Sequence, residues 1–156
     1  LKKFDWKPLL IAVLIPVVLI GGGTALATMG AMTEYGELNR PPLSPPGWLF
    51  PVVWNLLFIM MGIASYLVWK NGGSGRLTPL TIYGVQLVVN FLWSLVFFNM
   101  KSYWLAFAVL LVLWVLILVT IAMFAKVNKA AAWLLVPYLL WVTFAAYLNI
   151  GVALLN

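Results

Sequence analysis

The chain has 156 residues, 65% hydrophobic and only 8% charged, with a mean hydropathy of +1.10. Globular domains carry roughly a quarter charged residues, so too little polar surface is present to cover a water-soluble fold. Cysteine and histidine are absent, which excludes disulfides, thiolate nucleophiles, imidazole bases and most zinc or haem ligation. The net charge is +6, but the bases stand singly between apolar runs and build no patch for nucleic acid.

Charged residues divide the chain into five uncharged blocks, 8–33, 41–69, 77–100, 102–125 and 130–156. Each exceeds the roughly 20 apolar residues of a spanning helix. None alternates with the period of two that a barrel strand needs, and in lipid the remaining way to satisfy the backbone is a helix. The expected fold is an all-α integral membrane bundle of five transmembrane helices in a single domain, 1–156. The spans are expected near 8–30, 47–69, 79–99, 103–125 and 131–154.

Lys2 and Lys3 precede the first apolar run as in a signal peptide, but the run is longer than an h-region of about 7–15 residues. Pro16 inside it predicts a kink. Because the numbering begins at Leu1, an initiator methionine or short leader is expected to be missing from it. Gly23, Ala27 and Ala31 make a small-xxx-small row suited to close helix packing or a dimer contact, while Gly21-Gly22-Gly23 suits a flexible point equally well.

The connection 31–46 carries Glu34, Glu37 and Arg40, then Pro41, Pro42, Pro45 and Pro46. Prolines so dense fix a stiff, extended path. Two readings stand level: a rigid spacer that starts the second span, or a lid over one mouth of the bundle. Asn71-Gly72-Gly73-Ser74-Gly75 is a flexible turn. Lys101 marks a turn so tight that spans three and four must be antiparallel neighbours, and Pro137 is expected to kink the fifth span. Seven basic residues (Lys2, Lys3, Lys7, Lys70, Arg76, Lys126, Lys129) fall on one side against Arg40 and Lys101 on the other. The positive-inside rule then sets the N-terminus in the cytoplasm and the C-terminus outside. Trp6, Trp48, Trp69, Trp104 and Trp133 fall near span ends, where an aromatic belt is expected.

Asp5, Glu34 and Glu37, the three carboxylates, lie outside the spans. Ion-coupled pumps and conventional acid–base catalysis therefore lack their usual intramembrane groups. What remains is uncharged polarity among aromatics. Gln86 and Asn90 stand one turn apart with Trp93 and Phe97 following, and Tyr138, Trp141, Ala145, Leu148 and Asn149 recur at helical spacing. Taken singly, each amide reads first as interhelical glue. Trp54, Trp93 and Trp141 lie a turn or more inside their spans, too deep for a belt. A cavity lined by indoles and a few amides suits a flat, large, mostly apolar ligand.

The run from Pro41 through Pro42-Leu43-Ser44-Pro45-Pro46-Gly47-Trp48-Leu49-Phe50-Pro51 to Trp54 resembles the signature of the TspO/MBR family, the tryptophan-rich sensory or translocator proteins, also called peripheral benzodiazepine receptors. The stretches 62–69, 86–93 and 133–149 are similar to its second, third and fifth helices. The resemblance implies a five-helix bundle, usually a homodimer, with a pocket covered by the first loop. It also implies a porphyrin, haem or another hydrophobic small molecule as ligand, and no required cofactor or metal. By position, Trp54, Asn90, Trp93, Trp104, Trp141, Ala145 and Leu148 would line or border the pocket. Gln86 and Tyr138 are additional polar candidates, beneath a lid of Glu34, Arg40, Pro41, Pro42, Pro45 and Pro46. The implied roles are tetrapyrrole sensing, passive or partner-driven transport, or light-dependent porphyrin breakdown. Many members carry tryptophan where Glu34 and Leu43 stand here, which weakens an indole-dependent breakdown. Tyr147 is followed by no basic residue, so the sterol motif of animal members is incomplete and a bacterial cell membrane fits better.

Overall fold

The computed structural model describes residues 4–156, apart from the side chains of residues 32–34. Lys2 and Lys3 of the charge count, and the side chain of Glu34, lie outside the described residues. Five helices are long and apolar enough to cross a membrane: Trp6–Ala27, Leu49–Asn71, Gly73–Asn99, Tyr103–Val127 and Lys129–Leu155. Among the described residues there is no strand. A short helix, Ala31–Gly36, lies in the first loop.

Local chemistry sets the ends. The Asp5 carboxylate accepts the Lys7 N–H at 3.3 Å, and the Asp5 N–H donates to the Tyr66 hydroxyl at 2.8 Å, fastening the start of the first helix to the end of the second. Asn128, extended at φ −157°, separates the fourth and fifth helices and accepts the Ala131 N–H at 3.0 Å. Lys101 turns the chain between the third and fourth helices at φ +54°, and these two helices pack as neighbours. The fourth and fifth, second and fifth, and first and second helices also pack together. Met61, Leu110, Leu113, Ile117, Leu135 and Val142 fill the interior.

Lipid is as apolar as leucine, so close packing rather than burial from water holds such helices together. The tightest approach is at Gly62, where a Cβ would stand 2.5 Å from Val13 Cα and 2.7 Å from the Ala12 carbonyl oxygen. Pro16 explains that carbonyl: it has no N–H to return to Ala12 one turn back. Around Pro16 the chain widens into a π-helical segment, Ile15–Gly22. A second π segment, Leu95–Asn99, ends the third helix, with the Met100 N–H reaching the Leu95 carbonyl at 3.0 Å. Pro137 lies inside a fifth helix that runs from Lys129 to Leu155. The row Gly23, Ala27, Ala31 does not share one helix face, because the first helix ends at Ala27 and Ala31 opens the loop helix.

A cavity between four helices

The first, second, third and fifth helices enclose a cavity of about 580 Å³ on the side of the first loop. The fourth helix stands behind it and contributes no wall. Aromatic edges and faces make the lining. Trp54 stacks on Phe58 at 5.6 Å between centroids and meets Trp141 edge-on at 6.5 Å. Phe50 meets Trp141 at 5.9 Å, and Trp93 lies 5.4 Å from Phe97. No charged side chain lines the cavity among the described residues.

Polar groups are few and mostly committed. Trp93 donates through Nε1 to Asn149 Oδ1 at 3.0 Å, and Asn149 donates to the Tyr103 carbonyl at 2.9 Å. Asn90 donates through Nδ2 to the Tyr138 hydroxyl at 2.8 Å, which donates to Gln86 Oε1 at 2.7 Å. Two lining groups are buried without a partner among the described residues, Trp141 Nε1 and Thr24 Oγ1. An unpaired buried donor or hydroxyl is costly, and these two are the atoms most in need of a guest.

Trp54, Asn90, Trp93, Trp141, Ala145 and Leu148 all line the cavity. Gln86 and Tyr138 lie outside its lining, fully buried, and serve as the glue that each amide alone suggested. Trp104 is placed elsewhere: it is 56% exposed and takes no part in the lining. The inward stripe of its helix runs through Ala106, Leu110 and Leu113. Two residues before Ala106 means about 200° around the helix, so Trp104 faces out. Trp6, Trp48, Trp69 and Trp133 are exposed as well.

The loop is both spacer and cover. Tyr35 is buried to 7% exposure and roofs the cavity, with its ring 5.8 Å from Phe50. Burial pushes its hydroxyl above the usual tyrosine range, and Arg40, whose guanidinium lies 5.3 Å over the ring, opposes this more weakly. Pro41 packs on Gly151 so closely that a Cβ there would collide with the proline ring. The Pro42 carbonyl accepts the Tyr147 hydroxyl, and Asn39 and Asn156 exchange two hydrogen bonds. Leu43 turns at φ +71°, Pro45 is half-buried, and the Pro46 carbonyl accepts the Leu49 N–H to start the second helix. Tyr35, Thr24, Phe50 and Phe58 escaped sequence reasoning. For Tyr35 the available signal was a bulky ring standing between Glu34 and Glu37 in an otherwise polar loop.

Residues 12–155 match the model of the TspO/MBR family. The chain is 41% identical over 138 residues to the tryptophan-rich protein TspO of Chlorobaculum tepidum, covering 86% of each. It is 40% identical over 136 residues to the tryptophan-rich sensory protein of Cereibacter sphaeroides, covering 85% of each. It is 39% identical over 118 residues to the translocator protein of Ovis aries, across 74% of this chain and 70% of that one. With a family match along almost its whole length and five apolar helices to cross a bilayer, the chain is an integral, multi-pass membrane protein that belongs to the TspO/MBR family.

Proposed function

We propose that this protein is a membrane receptor for tetrapyrroles such as porphyrin or haem, or for a similarly flat hydrophobic molecule, with a sensory or transport role. The observation that carries the reading is the cavity of about 580 Å³ walled by Trp54, Trp93 and Trp141. Its volume lies in the range of about 300–1,000 Å³ usual for small-molecule sites, and indole faces and edges suit a planar π system. Trp141 Nε1 and Thr24 Oγ1 offer unspent hydrogen bonds for the polar rim of such a ligand. The names of relatives, sensory in one and translocator in another, agree with this reading. Catalysis by light-dependent porphyrin breakdown is the weaker alternative, because no charged group stands in the lining to handle protons.

Titration of the purified protein with protoporphyrin IX tests it. Tryptophan fluorescence is expected to quench saturably, and Trp141→Ala to weaken binding about tenfold or more, a loss of about 1.4 kcal/mol. No saturable quenching by the unaltered protein sinks the proposal. The charge asymmetry supports a cytoplasmic N-terminus in a bacterial cell membrane, testable by labelling single cysteines introduced at Asn71 and Asn39 from either side. A homodimer is proposed with it, and a monomeric mass in detergent and in nanodiscs would count against that part.

A further inference from the structure

Any ligand of this cavity must have a way in. On the loop side several contacts hold the loop down, over a second, smaller cavity of about 350 Å³ that shares Tyr35, Phe97 and Phe98 with the main one. Asn39 and Asn156 are joined by hydrogen bonds of 3.3 and 2.8 Å, Tyr147 holds Pro42 at 2.6 Å, Pro41 is wedged on Gly151, and Tyr35 is buried above the cavity. The side is different. Residues Trp6–Leu14 and Ile15–Gly22 of the first helix pack on the second helix, whereas Gly23–Ala27 packs on the third. Past the π segment, therefore, the first helix parts from the second. Several residues that line the cavity there are exposed: Ala25 on the first helix, Met29 just past its end, and Pro51 and Asn55 on the second helix. Met29 is 69% exposed. The Asn55 side chain is exposed and makes no hydrogen bond among the described residues, an unusual state for an amide in a membrane-spanning helix.

We propose that the cavity takes its ligand sideways from the bilayer, through the gap between Gly23–Ala27 and the first two turns of the second helix. Asn55 is the polar group at the threshold and Thr24 the one inside it. The proposal rests on the receptor reading above and adds the route and the ligand class: a molecule already dissolved among lipid chains, mostly apolar, with a hydrogen-bonding group that meets Asn55 before it meets Thr24.

The sequence has no cysteine, so an introduced pair bonds uniquely. Asn39→Cys with Asn156→Cys, bridged as a disulfide or by a short thiol-reactive linker, locks the loop to the end of the fifth helix. Ala25→Trp and, separately, Asn55→Trp fill the side gap from exposed positions that also belong to the cavity lining, so the equilibrium affinity of each variant is measured beside its rate. Association of protoporphyrin IX with each protein in nanodiscs is followed by stopped-flow quenching. The locked loop is expected to bind at a rate within about twofold of its reduced form, and both tryptophan variants to associate about tenfold more slowly, well inside the one to three decades over which association rates vary among variants. A locked loop that slows association about tenfold, or tryptophan variants that associate at the unaltered rate, overturns the lateral route while leaving the receptor reading intact. Absence of quenching in the unaltered protein overturns the receptor reading itself, and the route with it.

Discussion

Tyr147, near the end of the fifth helix, donates its hydroxyl proton to the Pro42 carbonyl over 2.6 Å, tying together positions 105 residues apart. The bond uses a carbonyl in a proline-rich stretch where neighbouring residues lack N–H groups to compete for partners. Tyr147→Phe removes it at constant shape. The expected cost is about 0.5–1.5 kcal/mol, read as faster hydrogen exchange across 38–44 with the transmembrane helices unchanged. Equal exchange in both proteins would show that Pro41 against Gly151 and the Asn39–Asn156 pair hold the loop without it.

Tyr138 is the middle of the Gln86–Tyr138–Asn90 chain and is 1% exposed. Removing its hydroxyl leaves two amide groups unanswered in the interior. Tyr138→Phe is expected to destabilise by about 1–3 kcal/mol, measured by thermal unfolding in detergent. It should also weaken protoporphyrin IX binding, because Asn90 lines the cavity and loses the partner that orients it. An unchanged melting temperature would refute the energetic role given to this chain.

At Gly62 any side chain meets the backbone of the first helix. Backbone cannot swing aside as a side-chain tip does, so Gly62→Ala is expected to cost about 1–3 kcal/mol, as overpacked cores do. Gly84→Ala is the control, since a Cβ there meets nothing within 4 Å. Equal melting temperatures for the two variants would argue against the close approach of the first two helices.

Binding is expected to be independent of pH between roughly 5 and 9, because no lining residue titrates there. Tyr35 is the roof residue that responds to base. Burial raises its folded pKa above the unfolded value, so its contribution to stability is fully present below about pH 10 and is lost as the pH rises beyond that, where the unfolded chain releases the proton first. Melting temperatures should therefore be flat through neutrality and fall in strong base, and the Tyr35→Phe variant should fall less. A transition near neutrality would point to a titrating group that these contacts do not contain.

Hydropathy made the five spans legible because lipid asks little more of a helix than length and the absence of charge. The indoles of Trp54, Trp93 and Trp141 were readable as inward residues because each lies a turn or more from its span end. Trp104 was not. Its distance from the helix end is right for either place, and only the angle to Ala106 and Leu110 separates outside from inside. The Tyr35 roof was hidden for another reason: a loop residue has no periodicity to betray which way it points. Gly62 was similarly silent, since its importance depends on Val13, 49 residues earlier in the chain.

The two π segments, Ile15–Gly22 and Leu95–Asn99, both border the cavity. Each wide turn closes with one residue more than an α-turn, and one residue of an α-helix is worth about 100° of rotation. Below its π segment the first helix shows one azimuth to Gly62, and above it the azimuth is reset so that Thr24 looks inward, with Thr28 lining the cavity just past the helix end. The register of the wall is therefore stored in these wide turns. Deleting one residue from Ile15–Gly22 would yield a smoother helix, still able to cross the bilayer, whose threonines had turned away.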